Sequence, residues 1–383
     1  MANQIPYNKQ YIDKADIKAV TTALKSKLIT QGSNVKKFES KISNLCKSKY
    51  SLSCINGTAG LDMAFKAAGL KKGDNIIIPS VNFIAAFSMA KKFGANIFLS
   101  DVDPITGQMN EEKIWECIKK NNLKKIKIIL TMFLGGYPEN IEKFFKIKRK
   151  FNSLIIEDAC HAFGAKYNFN NKNIPVGSCT HSDLCVFSFH PVKTITTGEG
   201  GIVTTNNVKF YKKMLLYRNH NIVRNKNYWE YNISDYGMNY RLSDINCALG
   251  ISQLNKMNKL LKKRRKLYLS YKKFFSNVKD KINFPNYSNK NFPSYHLFLI
   301  SFNFSKIKGN KDKLIKFLNK KNIFPQFHYK PINFFSISKS LKQKNDISGA
   351  AKFYNSSLSL PIFYTLNERD VRKITNIIKD YIK

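Results

Sequence analysis

Between about residue 17 and residue 254, short apolar runs alternate with segments of helical length. That alternation restricts the chain to an α/β architecture, a sheet with helices on both faces. The runs 75–79, 96–99, 127–132, 153–156, 184–189 and 201–204 are rich in Ile, Leu and Val, with little alternation of apolar and polar residues. A strand that is apolar on both sides is one covered on both sides. Helices are predicted at 58–68, 83–93, 111–120 and 139–151. The third carries Glu111 and Glu112 in its first turn and Lys119 and Lys120 in its last, the order that the helix dipole favours.

Beyond residue 254 the texture changes. A long basic helix pattern at 254–275 leads into Asn-rich loops holding Pro285 and Pro293. A strand at 296–302, a helix at 311–320, a strand near 324–327 and a terminal helix at 367–382 follow. The chain therefore divides into a large α/β domain over 1–254 and a smaller α+β domain over 255–383. The basic run from Lys262 to Lys266 reads as a solvated helix face.

Lys and Arg total 65 against 25 Asp and Glu, a net charge of +40, which on its own suggests a polyanionic partner. Only eight of the basic residues are arginines, and the 57 lysines are scattered. Readers of nucleic acid need clustered, groove-facing Arg, so a nucleic-acid function is not expected. No apolar run approaches the roughly 20 residues of a membrane span, and the first residues lack a signal-peptide pattern, which points to a soluble, cytoplasmic protein with no membrane partner. The seven cysteines are odd in number and include no Cys-x-x-Cys pair, so neither a disulfide framework nor a zinc site is indicated.

Ligands of open α/β sheets gather where strands end and helices begin. Three such edges stand out. Asn56-Gly57-Thr58-Ala59-Gly60-Leu61 is a glycine-flanked turn opening a helix, suited to a phosphate; a turn with Thr58 as N-cap explains it equally without a ligand. Glu157-Asp158-Ala159-Cys160-His161 places an acid directly after a buried strand, where it either holds a positively charged ring nitrogen or caps the next helix. Ser188-Phe189-His190-Pro191-Val192-Lys193 runs from a strand into a loop bearing one lysine, followed by the glycine-rich return Thr197-Gly198-Glu199-Gly200-Gly201. A partly desolvated lysine forms a Schiff base with an aldehyde, although one lysine among 57 proves little. Taken in order, phosphate turn, acid and lysine are the three anchors that pyridoxal 5'-phosphate requires.

With these motifs the chain resembles the DegT/DnrJ/EryC1/StrS family of pyridoxal-phosphate-dependent sugar aminotransferases over nearly its whole length. Further matches are Leu28-Ile29-Thr30-Gln31-Gly32, Pro79-Ser80-Val81-Asn82-Phe83-Ile84-Ala85, Arg218-Asn219-His220, Gly237-Met238-Asn239-Tyr240-Arg241-Leu242, Ala248-Leu249-Gly250, Gln253-Leu254, His328-Tyr329-Lys330-Pro331-Ile332 and Leu358-Ser359-Leu360-Pro361. The resemblance implies fold type I, aspartate aminotransferase-like, with a large mixed-sheet domain and a smaller α+β domain. It implies that Lys193 is the catalytic lysine bonded to the cofactor, and that Asp158 keeps the pyridine nitrogen protonated. Thr58, Ala59 and Ser188 would hold the phosphate, Phe83 would stack on the ring, and His161 would lie near the phenolic oxygen. Asn239 would reach the phosphate from a neighbouring subunit, making a homodimer with a shared active site. Within the family the finer match is to the branch serving pseudaminic acid biosynthesis. Its implied substrates are a UDP-linked 4-keto-6-deoxy-N-acetylhexosamine and glutamate, with Tyr7, Thr30, Gln31, Arg241 and His328 facing the sugar nucleotide or the donor carboxylate. Three alternatives remain: an aminotransferase for another nucleotide-linked 3-keto or 4-keto sugar, a sugar dehydratase of the same family, in which histidine replaces the lysine present here, and a non-catalytic regulatory or polyanion-binding member.

Overall fold

Seven strands form the central sheet, in the spatial order Tyr50–Cys54, Gly201–Thr205, Leu184–Ser188, Leu154–Asp158, Ile128–Met132, Asn75–Pro79 and Asn96–Ser100. The protein is described by a computed structural model covering residues 4–227, 229–278, 280–341 and 343–383. From Leu184–Ser188 to Asn96–Ser100 all neighbours run parallel, whereas Gly201–Thr205 is antiparallel to both strands that flank it. The sheet is therefore mixed, as the fold class implies. Six of the seven strands match the apolar runs to within two residues. Tyr50–Cys54 escapes the pattern because its serines read as loop. Ser53 is nonetheless fully buried, and its N–H and hydroxyl both donate to Glu39 Oε1, at 2.9 and 2.8 Å.

Successive residues of each strand enter opposite cores. Ile77, Ile129, Ile155 and Phe187 pack on one face with Phe38, Ile42, Ile114, Phe144 and Cys247 from helices. Ile76, Ile78, Leu130, Ile156 and Val186 pack on the other, against Leu61, Phe65, Phe87 and Met214. Burying one such Ile or Phe contributes about 2 kcal/mol, so double coverage explains why the strands carry no polar side. It also dictates that Asp158, following Ile156 by two, lies on the face of the helix Gly57–Ala67, while Glu157 points to the opposite core.

The C-terminal part builds a three-stranded antiparallel sheet from Ile282–Asn283, Phe298–Phe302 and Ser357–Leu360. The helices Met257–Phe274, Lys311–Lys320 and Glu368–Ile382 cover it with Leu267, Tyr271, Leu314, Ile374 and Ile378. The first helix follows Asp244–Asn255 after a break at Lys256. Its basic run is not wholly a solvated face: Arg264 is 4% exposed. Met257, Leu260, Arg264, Leu267 and Tyr271 form one helical stripe, and periodicity draws Arg264 inward with its neighbours. The N-terminal strand Ile5–Pro6 pairs in parallel with Ile323–Phe324, so residues expected to join the large domain lie with the C-terminal part. No helix among the described residues is long and apolar enough to cross a membrane.

Candidate active site

The carboxyl ends of the central strands open on a cleft of about 620 Å³, within the range of small-molecule sites. Gly57, Thr58, Asp158, Ser188 and Lys193 line it from the large sheet, and Tyr7, His296 and the segment Gln326 to Tyr329 from the opposite side.

On the sheet side, the helix Gly57–Ala67 is capped by Asn56, whose Oδ1 accepts the Ala59 N–H at 2.9 Å. Thr58 is thus inside the helix and is not its cap. Ala59 lines no part of the cleft, since it is buried and its N–H is engaged by Asn56. Among the described residues the N–H groups of Gly57 and Thr58 make no protein hydrogen bond, and both residues line the cleft. Two unpaired donors, the Thr58 and Ser188 hydroxyls and the positive end of the helix dipole form an anion cradle. Space is tight at its base: a Cβ on Gly57 would lie 3.1 Å from Ser188 Cβ and 3.2 Å from Cys160 Sγ, so a side chain there would press on both.

Asp158 ends its strand 3% exposed, with Oδ1 accepting the Cys160 N–H at 3.2 Å. Burial raises its pKa, while the Cys160 hydrogen bonds and the charge of Lys193 oppose the rise. Lys193 is shifted the other way. Burial lowers its pKa, Cys160 and Asp158 work against that, and Arg264 lowers it further. A buried carboxylate facing a lysine with a depressed pKa is the electrostatic pattern of a reactive centre.

Four histidines line the same cleft, and three of them, His161, His296 and His328, are buried. The Gly135 N–H donates to His161 Nδ1 at 3.3 Å, so the neutral ring carries its proton on Nε2 and donates it to Tyr329 Oη, 2.9 Å away. Burial, then the charge of Lys193, holds His161 well below the usual imidazole range. Both ring nitrogens of His161 are thus engaged by protein, which leaves its ring face and the Tyr329 hydroxyl to meet a ligand. The His296 ring lies 4.3 Å from that of His161, buried, and neither nitrogen has a partner among the described residues. His328 Nδ1 is 2.8 Å from Ser359 Oγ, its ring is 5.3 Å from Tyr7, and burial pushes its pKa down to about 3. Phe83 stands at the mouth, 52% exposed, its ring 5.7 Å from Tyr329.

Eight of the thirteen predicted site residues line this cleft: Tyr7, Thr58, Phe83, Asp158, His161, Ser188, Lys193 and His328. Ala59 lies directly behind it. Thr30, Gln31, Asn239 and Arg241 do not line it but lie elsewhere. Thr30 bridges to Ser243, and the Asp244 carboxylate accepts the N–H groups of Gly32 and Asn34 at 2.5 and 2.8 Å. Asn239, exposed, pairs with Asn219. Sequence reasoning missed His296 and Arg264. Nothing local marks a histidine that opens an apolar strand, and Arg264 is hidden among four other basic residues.

The chain matches the sequence profile of the DegT/DnrJ/EryC1/StrS aminotransferase family over residues 10–379. It is 34% identical over 380 residues, 98% of this chain and 96% of the relative, to a UDP-4-amino-4,6-dideoxy-N-acetyl-beta-L-altrosamine transaminase of Campylobacter jejuni. A transaminase of the same description from Helicobacter pylori is 30% identical over 381 residues, covering 98% of this chain and 97% of the relative. Helicobacter pylori PseC, an aminotransferase of pseudaminic acid biosynthesis, superposes with a TM-score of 0.88 at 28% identity, covering 99% of both chains. A mixed sheet that brings phosphate turn, acid and lysine to one cleft, together with similarity along the whole length, leads to one conclusion: the chain belongs to the DegT/DnrJ/EryC1/StrS aminotransferase family.

Proposed function

We propose that the protein is a pyridoxal-phosphate-dependent aminotransferase that moves an amino group from glutamate to C4 of a UDP-linked 4-keto-6-deoxy-N-acetylhexosamine, the type of step found in pseudaminic acid biosynthesis. The observation that carries this reading is the meeting of three anchors in one cleft: the open N–H groups of Gly57 and Thr58, the buried Asp158, and Lys193 with its lowered pKa. This donor set fits the cofactor. Gly57, Thr58 and Ser188 would hold its phosphate, Asp158 its ring nitrogen, Lys193 its aldehyde, and Phe83 one face of its ring.

When bound, pyridoxal phosphate supplies an electron sink that makes the hydrogen on an amino-bearing carbon acidic. Lys193 Nζ accepts that proton from glutamate and, in the second half of the cycle, returns one to the sugar carbon that gains the nitrogen. An amine with a lowered pKa suits both directions. Asp158 would hold the ring nitrogen and keep it protonated, so that the ring draws electrons. Tyr329, positioned by His161, presents a hydroxyl to the cleft, and Tyr7 and His328 form the wall against which the sugar lies. Glutamate leaves as 2-oxoglutarate before the keto sugar enters, a ping-pong order.

The residues outside the cleft support a homodimer with a shared site. Thr30, Gln31, Asn239 and Arg241 do not line their own cleft, and Asn239 bridges to Asn219, just before the hairpin Ile222–Arg224 and Tyr231–Ile233, which exposes Val223, Tyr231 and Ile233. In the dimer we infer, Asn239 and Arg241 of one chain complete the cleft of the other. All seven cysteines are free thiols, in keeping with a reducing cytoplasm. Purified protein is expected to be yellow and to convert glutamate to 2-oxoglutarate in a single half-reaction. Lys193→Ala should lose both the colour and the half-reaction while melting at an unchanged temperature, and retained turnover would refute the assignment. A panel of nucleotide-linked 4-keto and 3-keto sugars then tests the substrate. Success only with 3-keto sugars would overturn the C4 reading.

A further inference from the structure

Arg264 lies on the inner stripe of the helix Met257–Phe274. Its Nη1 donates to the backbone oxygens of His296 and Ile362, at 3.1 and 2.9 Å, and its Nη2 donates to Asn8 Oδ1 at 3.3 Å. All three acceptors are uncharged. Among the described residues no carboxylate lies within ion-pair distance of it, whereas Arg218, the other buried arginine, is paired with Glu39 at 2.7 Å. Hydrogen bonds satisfy the guanidinium protons without cancelling the charge.

Arg264 and Lys193 line one small cavity of about 20 Å³. That volume holds a single water and excludes an anion such as phosphate or a carboxylate. The positive charge therefore stays uncompensated, and in a low-dielectric interior its field reaches Lys193 across the cavity. Lys9 also lines this cavity but is exposed to solvent, which screens its charge, and the other groups around Lys193 do not supply the effect. Asp158 and Cys160, on the sheet side, favour its charged form. His161, His296 and His328 are held neutral by burial. Tyr7 and Tyr329, with raised pKa values, keep their protons. On the loop side Glu199 and His190 are exposed and lie 3.9 Å from each other.

We propose that Arg264 is a positioning residue whose uncompensated charge disfavours protonation of Lys193 and so keeps the neutral, nucleophilic amine populated. The proposal rests on the reading of Lys193 as the reactive amine. Burial depresses the guanidinium itself to about 10, which leaves it charged at neutral pH.

Asn8 provides the most direct test, because Asn8→Asp is isosteric and sets a carboxylate where Arg264 already donates. The full-length protein, freed of cofactor, is labelled with trace acetic anhydride across a pH series, and acylation of the Lys193 peptide is followed by mass spectrometry. Asn8→Asp and Arg264→Gln should each raise the Lys193 midpoint, as neutralising or removing a nearby positive charge requires. Arg264→Lys, which retains the charge, should stay near the wild-type midpoint. In cofactor-loaded protein, the pH midpoint of the long-wavelength absorbance should move in the same direction. A depressed wild-type midpoint that neither Asn8→Asp nor Arg264→Gln moves would overturn the role of Arg264 alone. An ordinary lysine midpoint in the wild type would overturn the reading of Lys193 and the role of Arg264 with it. If Arg264→Gln does not fold, Asn8→Asp decides.

Discussion

Glu157, the residue before the acid of the cleft, offers a test of the fold that is independent of catalysis. It is 2% exposed on the core face of the sheet, and Oε2 has no hydrogen-bond partner among the described residues. Burial lifts its pKa from 4.5 to about 7, against the softening effect of Cys185, Ser182 and the Gly177 backbone. Below pH 4.5 the carboxyl is protonated in both folded and unfolded chains and contributes nothing to the pH dependence. Between 4.5 and 7 folding must take up a proton, and above 7 the charge is either buried or the protein unfolds. The shift corresponds to about 3 kcal/mol, present as stability below the unfolded pKa and lost as pH rises through the folded one. Glu157→Gln removes the titration and keeps the shape. Any cost of the new amide protons is independent of pH, so the observable is the slope of the difference between the two proteins. Urea midpoints measured from pH 4.5 to 8.5 should show the variant gaining on the wild type by about 3 kcal/mol, or about 4 °C in thermal melts of a chain this long. A difference that stays constant over that range would refute a buried, unpaired carboxyl at this position.

Two further predictions concern the supports of the cleft. Gly136 has a φ of 90°, and a Cβ there would sit 2.0 Å from Ser294 Oγ and 2.6 Å from the His161 carbonyl. Gly136→Ala should therefore cost at least about 3 kcal/mol, read as a fall in the melting temperature, and an unchanged melt would show that the loop has room to move. Asn56→Ala removes the cap of the phosphate helix and should cost about 1 kcal/mol. The same variant should bind pyridoxal phosphate several-fold more weakly in a fluorescence titration, and unaltered affinity would separate the cap from the cradle.

The parts of the fold that were legible are those where one physical constraint dominates. The strands of the central sheet are buried on both faces, so their apolar runs stand out from the background. The helices Glu111–Lys120 and Lys311–Lys320 are bounded by Asn caps and amphipathic stripes, and the observed limits coincide with the predicted ones. The hairpins Lys166–Phe169 with Lys172–Pro175 and Ile222–Arg224 with Tyr231–Ile233 left no such trace, since they are short and largely polar or exposed. Asp244–Asn255 is packed by Lys14–Leu24 and Ser33–Cys46 on different sides and shows no single stripe. In the site, Thr58, Asp158 and Lys193 were readable because each follows directly from a strand end. His296 and Arg264 take their meaning from residues distant in sequence, the ring of His161 and the side chain of Asn8, and no local pattern encodes a contact of that kind.

The pairing of Ile5–Pro6 with Ile323–Phe324 has a kinetic consequence. It joins segments 318 residues apart in sequence (5 to 323), and closing so large a loop is entropically costly until the intervening structure is in place. On the proposed reading of the cleft, the wall formed by Tyr7 and His328 should then assemble after the central sheet, later than the cradle at Gly57 and Thr58. During refolding, cofactor capture should precede competence for the keto sugar, and the interval between the two is the time the chain needs to bring these two distant strands together.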